Sequence, residues 1–150
     1  MRVVVQRVSS ARVTISGRVT GKIARGLLVL VGIESADTIA DGEWLAQKIG
    51  KLRIFPDSDG PMNLSVTDIA GSVLLISQFT LHASTQKGTR PSFDVAARPE
   101  HARPLYDQFI VQLASAIGRT VATGEFGAYM EVSLVNDGPV TLTIDSKVRE

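Results

Sequence analysis

The residues of this chain that could do chemistry fall mainly in two short stretches. In Ser77-Gln78-Phe79-Thr80-Leu81, three hydrogen-bonding side chains appear abruptly at the end of the apolar run Val73-Leu74-Leu75-Ile76. A strand end opening into a polar loop is where a rigid scaffold commonly presents reactive groups. The same residues would also suit an ordinary strand terminus, where Ser and Thr satisfy nearby backbone groups. The second stretch is Asn136-Asp137-Gly138-Pro139-Val140-Thr141. It reads as a hairpin turn: Asn and Asp favour turn conformations, Gly permits unusual dihedrals, and Pro fixes one dihedral and removes a donor.

Most other chemistries are excluded by residue type. There are no cysteines, so a disulfide scaffold, a thiolate metal site and a cysteine nucleophile are all ruled out. The two histidines, His82 and His101, have no HExxH-like spacing, and a zinc site is not expected. Neither GxGxxG nor GxxxxGK[ST] occurs, so no phosphate-cradling nucleotide loop is expected. A Ser-His-Asp arrangement remains open. It would need the strand to bend so that His82 could meet Ser77 or Thr80, because alternate strand residues face opposite sides. Otherwise both histidines belong to loops or the surface.

The elements that must position these residues are legible from periodicity. Val3, Val5, Val13 and Ile15 alternate with polar residues, Ser16-Gly17-Arg18 marks a tight turn, and Val19 to Ile23 returns. Gly26 to Gly32 is apolar without alternation, which predicts a strand buried on both faces. Ile39, Leu45, Ala46, Ile49 and Leu52 predict a helix with Asp37 as N-cap. Arg53-Ile54-Phe55 reads as a short strand before the turn at Pro56 to Gly60, and Ser72 to Leu81 as another strand. A polar loop is expected from His82 to about Arg98. A second helix is expected from Leu105 to Gly118, with Pro104 in its first turn. Short connections favour antiparallel hairpins. The expected class is α+β: a curved, barrel-like, mainly antiparallel sheet with two main helices, forming one domain over residues 1–150.

Composition agrees with a folded domain. The chain is 44% apolar and 21% charged, with 16 basic residues against 15 acidic ones. That balance argues against wholesale coating of nucleic acid but permits a local basic patch. The longest apolar run, Gly26 to Ile33, is far too short to cross a membrane. The opening MRVVVQRVSS has no apolar signal region, so a cytoplasmic protein is expected.

SQFTL at 77–81 followed by NDGPVT at 136–141, in a chain of this length, resembles the D-aminoacyl-tRNA deacylases. MRVVVQRVSSARV at the start, Lys87-Gly88-Thr89-Arg90-Pro91-Ser92-Phe93, Leu105-Tyr106 and Gly124-Glu125-Phe126-Gly127-Ala128-Tyr129-Met130 extend the likeness over essentially the whole chain. The resemblance implies a homodimeric hydrolase without metal or cofactor. Its substrate would be the ester joining a D-amino acid, or glycine, to the terminal adenosine of tRNA. It implies catalytic roles for Ser77, Gln78, Phe79 and Thr80, with backbone N–H groups at Phe79 and Thr80 stabilising the carbonyl oxygen. It implies that the ribose 2′-hydroxyl helps activate water. It further implies that Gly138-Pro139, with a cis peptide bond, enters the other subunit's active site as a chirality gate. Met130, Lys87 and Arg90 are the expected substrate contacts. Two other readings stay open: a covalent Thr or Ser hydrolase acting on a small ester, and a non-catalytic RNA-binding dimer.

Overall fold

A computed structural model describes residues 1–150. Its strands are β1 (Arg2–Ile15), β2 (Arg18–Ile23), β3 (Gly26–Gly32), β4 (Ser72–Ser77), β5 (Ala122–Thr123) and β6 (Glu131–Asp145). The helices are α1 (Ile39–Lys51) and α2 (Pro99–Ile117). The strand order is β2-β1-β3-β4-β5, with β6 on β1. β1 pairs antiparallel with β2, β3 and β6, whereas β3–β4 and β4–β5 are parallel. The sheet is therefore mixed. The parallel pairs follow from α1 and α2, which supply the crossovers that parallel neighbours require. The sheet curls until its ends nearly meet: a Cβ at Gly21 on β2 would lie 2.6 Å from the Thr123 carbonyl oxygen on β5. The result is a nearly closed barrel.

The unbroken apolar character of β3 and β4 has a direct cause. Leu27, Val29, Val31, Val73 and Leu75 pack outward against Leu45 and Ile49 of α1 and Phe109 and Leu113 of α2. Leu28, Leu74 and Ile76 face the other way and fill the barrel with Val8, Val13 and Ile23. Both faces are buried, so neither strand can alternate. The Tyr106 hydroxyl donates to the Leu75 carbonyl at 3.2 Å, tying α2 to β4. Burial, followed by the Asp107 charge, pushes its pKa up to about 12.

Several boundaries differ from expectation. The N-cap of α1 is Thr38, not Asp37. Asp37 is buried in an ion pair with the Met1 amino group, while Asp41 reaches back to accept from Thr38 N at 2.8 Å. Burial alone would raise the Asp41 pKa. Hydrogen bonds from Lys147, Ser146 and Thr38 outweigh it and hold the carboxyl below its ordinary value. Arg53 to Phe55 is no strand; Phe55 makes only an isolated bridge to Leu64. Helix α2 starts at Pro99, so Pro104 lies inside the helix rather than in its first turn. The signal for that start is Arg98-Pro99-Glu100, a proline at N1 followed by an acid. No helix is long and apolar enough to cross a membrane.

Candidate active site

Strand β4 ends at Ser77, earlier than the expected Leu81. Gln78 N still donates to the Val31 carbonyl of β3 at 2.7 Å, and there the ladder stops. Phe79–His82 then coils into one 3-10 turn, closed by Leu81 N to Gln78 O at 3.2 Å and Ala83 N to Thr80 O at 3.1 Å. The N–H groups of Phe79 and Thr80 open this turn and have no partner inside it. The turn is anchored from outside by the Arg2 guanidinium, which donates to the Leu81 carbonyl at 2.8 Å and pairs with Asp145 at 3.0 Å.

The side chains here do not assemble a charge-relay triad. Thr80 Oγ1 accepts from Gln78 Nε2 at 2.5 Å, and no acid or imidazole is hydrogen-bonded to it. The chain does bend, but the bend buries His82 instead of turning it towards Ser77 or Thr80. Its Nδ1 lies 3.8 Å from Glu34 Oε2, and its Nε2 is buried without a partner. His82 is therefore not a loop or surface residue. His101 is exposed, with Nε2 3.0 Å from the Asp37 carbonyl oxygen.

Ser77, Gln78 and Phe79 border a chamber of about 560 Å³. Its walls are mostly apolar: Val31, Ile33, Ile76, Phe93, Ala96, Ala102, Phe126, Met130 and Val132 among them. Phe79 is 57% exposed, unusual for a large apolar side chain, and meets Phe93 edge-on with ring centroids 5.0 Å apart. Tyr129 stands almost fully exposed at the same chamber. The chamber is of a size and character suited to a small ligand with an apolar body. Phe93, Tyr129 and Arg98 line it without having been singled out as site residues in the sequence. Exposed aromatics carry no periodicity signal, which is why Phe93 and Tyr129 were missed.

The remaining expected residues are spread more widely. Met130 lines the chamber. Lys87 borders a separate polar hollow of about 240 Å³ with His82, Ser84, Gln86, Ser92 and Asp94. Arg90 lies beyond both, on the same loop, whose ends are clipped by Ser84 N to Ser92 O at 2.8 Å and Ser92 N to Ser84 O at 2.9 Å. Thr80 does not line the chamber, although its neighbour Phe79 does.

Gly138-Pro139 is not a hairpin turn. It sits within β6, which runs unbroken from Glu131 to Asp145 along β1, with register shifts on either side of Val8. The pairing tolerates Pro because β6 is an edge strand and is bulged here. The Gly138-Pro139 bond is cis, and Gly138 has φ +146°. The segment is braced on both sides. Asn136 Oδ1 accepts from Val140 N at 2.9 Å, and its Nδ2 donates to Thr141 Oγ1 at 3.0 Å. Arg7 Nε donates to the Asp137 carbonyl at 2.9 Å, and Arg7 also pairs with the Asp137 carboxylate at 3.2 Å. The same guanidinium donates to the Ile54 carbonyl at 2.6 Å. Arg7 was legible in principle, since it shares the inward phase of Val3 and Val5, where a charge is out of place. Both Gly138 and Pro139 are solvent-exposed and lie outside this chain's own chamber.

Comparison with known proteins gives a consistent result. The family model described as D-Tyr-tRNA(Tyr) deacylase matches residues 4–145. A D-aminoacyl-tRNA deacylase of Opitutus terrae is 64% identical, and one of Akkermansia muciniphila 60%, each alignment covering 100% of both chains. Among solved structures, a c-Myc DNA unwinding element binding protein superposes with TM-score 0.90 at 40% identity, covering 97% of this chain and 98% of the other. A probable eukaryotic D-amino acid tRNA deacylase shares the fold at TM-score 0.83 and 17% identity, covering 96% and 98%.

Proposed function

Because the chain belongs to the D-Tyr-tRNA(Tyr) deacylase family, we propose that it hydrolyses the ester of D-aminoacyl-tRNA, releasing free tRNA and the D-amino acid. The observation that carries the mechanism is the pair of N–H groups at Phe79 and Thr80, unclaimed by their own turn, beside an apolar chamber. Water adds to the ester carbonyl carbon, and the developing oxyanion accepts from these donors. The carbon–oxygen bond to the ribose then breaks, the proton from water passing to the leaving hydroxyl. Preorganised main-chain donors of this kind can supply a large share of the acceleration. No side-chain base is bonded to Thr80, which favours activation of water by the ribose 2′-hydroxyl over a covalent Thr80 adduct. The apolar walls would take the terminal adenine. Lys87 and Arg90 are candidate phosphate contacts.

Selection against L-residues is assigned to Gly138-Pro139. The pair is exposed, braced and outside the lining of its own chamber, so it would act in the chamber of a second copy within a homodimer. A site accepting many D-side chains can only forbid the other hand, and rigid main chain suits that task. Glycine, lacking a side chain, would pass the gate. The reaction is read as metal-independent and cytoplasmic.

The test is to incubate the protein with matched D- and L-tyrosyl-tRNA and glycyl-tRNA, with and without chelator, and to follow ester loss. Rapid loss of the D-ester and of glycyl-tRNA, with the L-ester spared and chelator without effect, is expected. Binding of tRNA with unchanged ester lifetimes would instead support a non-catalytic nucleic-acid-binding role. That role is in keeping with the name of the relative called a DNA unwinding element binding protein, but the net charge of +1 gives it little support. An acyl adduct on the protein, seen by mass spectrometry, would establish the covalent route.

A further inference from the structure

The chamber has eighteen lining residues, and Arg98 is the one charged side chain among them. Its backbone is fixed. The Arg98 carbonyl accepts from His101 N at 3.0 Å and Ala102 N at 2.9 Å, capping α2, and Pro99 follows. Its guanidinium forms neither a hydrogen bond nor an ion pair with any protein group. Arg2, Arg7, Arg53, Arg119 and Arg149 are held by carbonyl or carboxylate oxygens, whereas Arg12, Arg18, Arg25, Arg90 and Arg103 are as free of such bonds as Arg98 but do not line the chamber. An uncommitted fork of donors on a firm base at the rim of an apolar chamber suits an anion brought by the ligand.

The register of the chamber wall says which anion. Ala97 N donates to the Ile33 carbonyl at 2.9 Å, and Gln78 N donates to the Val31 carbonyl at 2.7 Å. The residues preceding Arg98 and Phe79 are thus fastened to Ile33, just past the end of β3, and to Val31 within it, two residues apart, roughly 6–7 Å at the rise of a strand. One ribose, from its esterified oxygen to its 5′ phosphate, spans a comparable distance, and the exposed Arg98 side chain extends from the far anchor. Of the groups near the reacting ester, the α-ammonium would be repelled by a guanidinium and the phosphodiester attracted.

Resting on the deacylase reading above, we propose that Arg98 binds the phosphodiester linking the terminal adenosine to the preceding nucleotide. This fixes the direction in which the nucleotide lies: ester over Phe79-Thr80, adenine in the chamber, phosphate at the start of α2. Arg98 is a substrate-binding residue and takes no part in bond breaking.

The experiment compares Arg98→Ala, Arg98→Lys and the unsubstituted protein on D-aminoacyl-tRNA across a salt series, and on a D-aminoacyl adenosine that lacks the 5′ phosphate. For Arg98→Ala the expected result is a KM raised about 5- to 10-fold, as for one charge-assisted contact at an exposed rim. Its kcat should stay within about twofold, and its plot of log(kcat/KM) against log salt should be shallower by about 0.7–0.9, as for one lost phosphate contact. Arg98→Lys should keep the steeper slope, and on the phosphate-free substrate Arg98→Ala should match the unsubstituted protein. An unchanged salt slope, or an equal loss on both substrates, would overturn the proposal. So would a change in oligomeric state, which would make Arg98 a contact between copies. An unsubstituted protein inert on every D-aminoacyl-tRNA would overturn the deacylase reading itself, and that failure is recognisable because it precedes any substitution.

Discussion

At Ser77–Thr80 and at Asn136–Val140 the chain leaves regular strand geometry under opposite constraints. The first segment ends its strand, coils once and carries a single side-chain hydrogen bond, Gln78 to Thr80. The second stays in its strand and is held by Arg7 from one side and Asn136 from the other. One leaves backbone donors uncommitted beside a chamber; the other is clamped by hydrogen bonds on either side of a stiff, exposed pair of residues. The contrast fits two different tasks. Stabilising a charge that appears only during reaction needs donors with no prior partner. Excluding a group of the wrong hand needs atoms that do not yield.

Gly138→Ala should break this contrast most severely. The added Cβ would lie 2.7 Å from Val140 N and 2.8 Å from Val140 Cγ2, at a φ of +146° that side chains rarely adopt. Strain of this kind costs about 1–3 kcal/mol, which in a chain of this size lowers Tm by roughly 2–10 °C. If the pair forms the gate, a displacement of about 1 Å should reduce kcat/KM on D-aminoacyl-tRNA about 100-fold or more. Kinetics on D-, L- and glycyl-tRNA, with circular dichroism and sedimentation as controls, would show it. A folded protein with unaltered rates on all three would return Gly138-Pro139 to a purely structural role.

Arg7→Ala comes next. The side chain is only 10% exposed, and its loss would leave the Ile54 carbonyl and Asp137 without their donor. The expected destabilisation is about 2–4 kcal/mol, read from urea denaturation. Because Arg7 braces the gate from beside it, bonded to Asp137 and lying against Gly138, and is not part of the gate itself, the loss in kcat/KM should be smaller than for Gly138→Ala, about 10- to 100-fold. Discrimination between D- and L-esters should weaken. Arg7→Lys should not restore it, since an ammonium lacks the planar fork that spans both partners. Full discrimination in a destabilised Arg7→Ala protein would show that the segment keeps its shape without the brace.

How much of this was legible in the sequence depends on what each residue faces. β3 was readable because Leu27 to Val31 is buried on both sides, and the two helices because their inner faces repeat. Both motifs were found by residue type, yet both were given the wrong local form. Phe79 and Leu81 add further apolar residues just past the continuous apolar run of β4, so nothing in the pattern says that the strand has ended. The exposure of Phe79 belongs to the chamber, not to the strand. Gly138-Pro139 reads as a turn because the pair breaks most strands; only the pairing of β1 along nearly the whole of β6 shows an edge strand accommodating it as a bulge. Asp37 failed as a cap because a distant partner, the Met1 amino group, had claimed it. Tertiary partners of this kind leave no local trace.

Thr80→Ala should have the smallest effect of the three, and it tests the other half of the contrast. The substitution removes the hydroxyl that accepts from Gln78 but keeps the N–H that opens the 3-10 turn. Oγ1 is exposed and unpaired with any base, so it has nothing to give up its proton to. If the main chain carries the oxyanion, kcat should fall less than about tenfold, because losing a true oxyanion donor costs about 100- to 1000-fold. Thr80→Ser should be nearly indistinguishable from the unsubstituted protein, since hydroxyl and N–H both remain. The informative measurement is single-turnover hydrolysis of D-tyrosyl-tRNA, which isolates the chemical step from product release. A loss of 100-fold or more in Thr80→Ala, rescued by Thr80→Ser with Tm unchanged, would move the chemistry from the backbone to the hydroxyl. The turn at 79–82 would then serve to present a side chain, and the distinction drawn between the two segments would no longer hold.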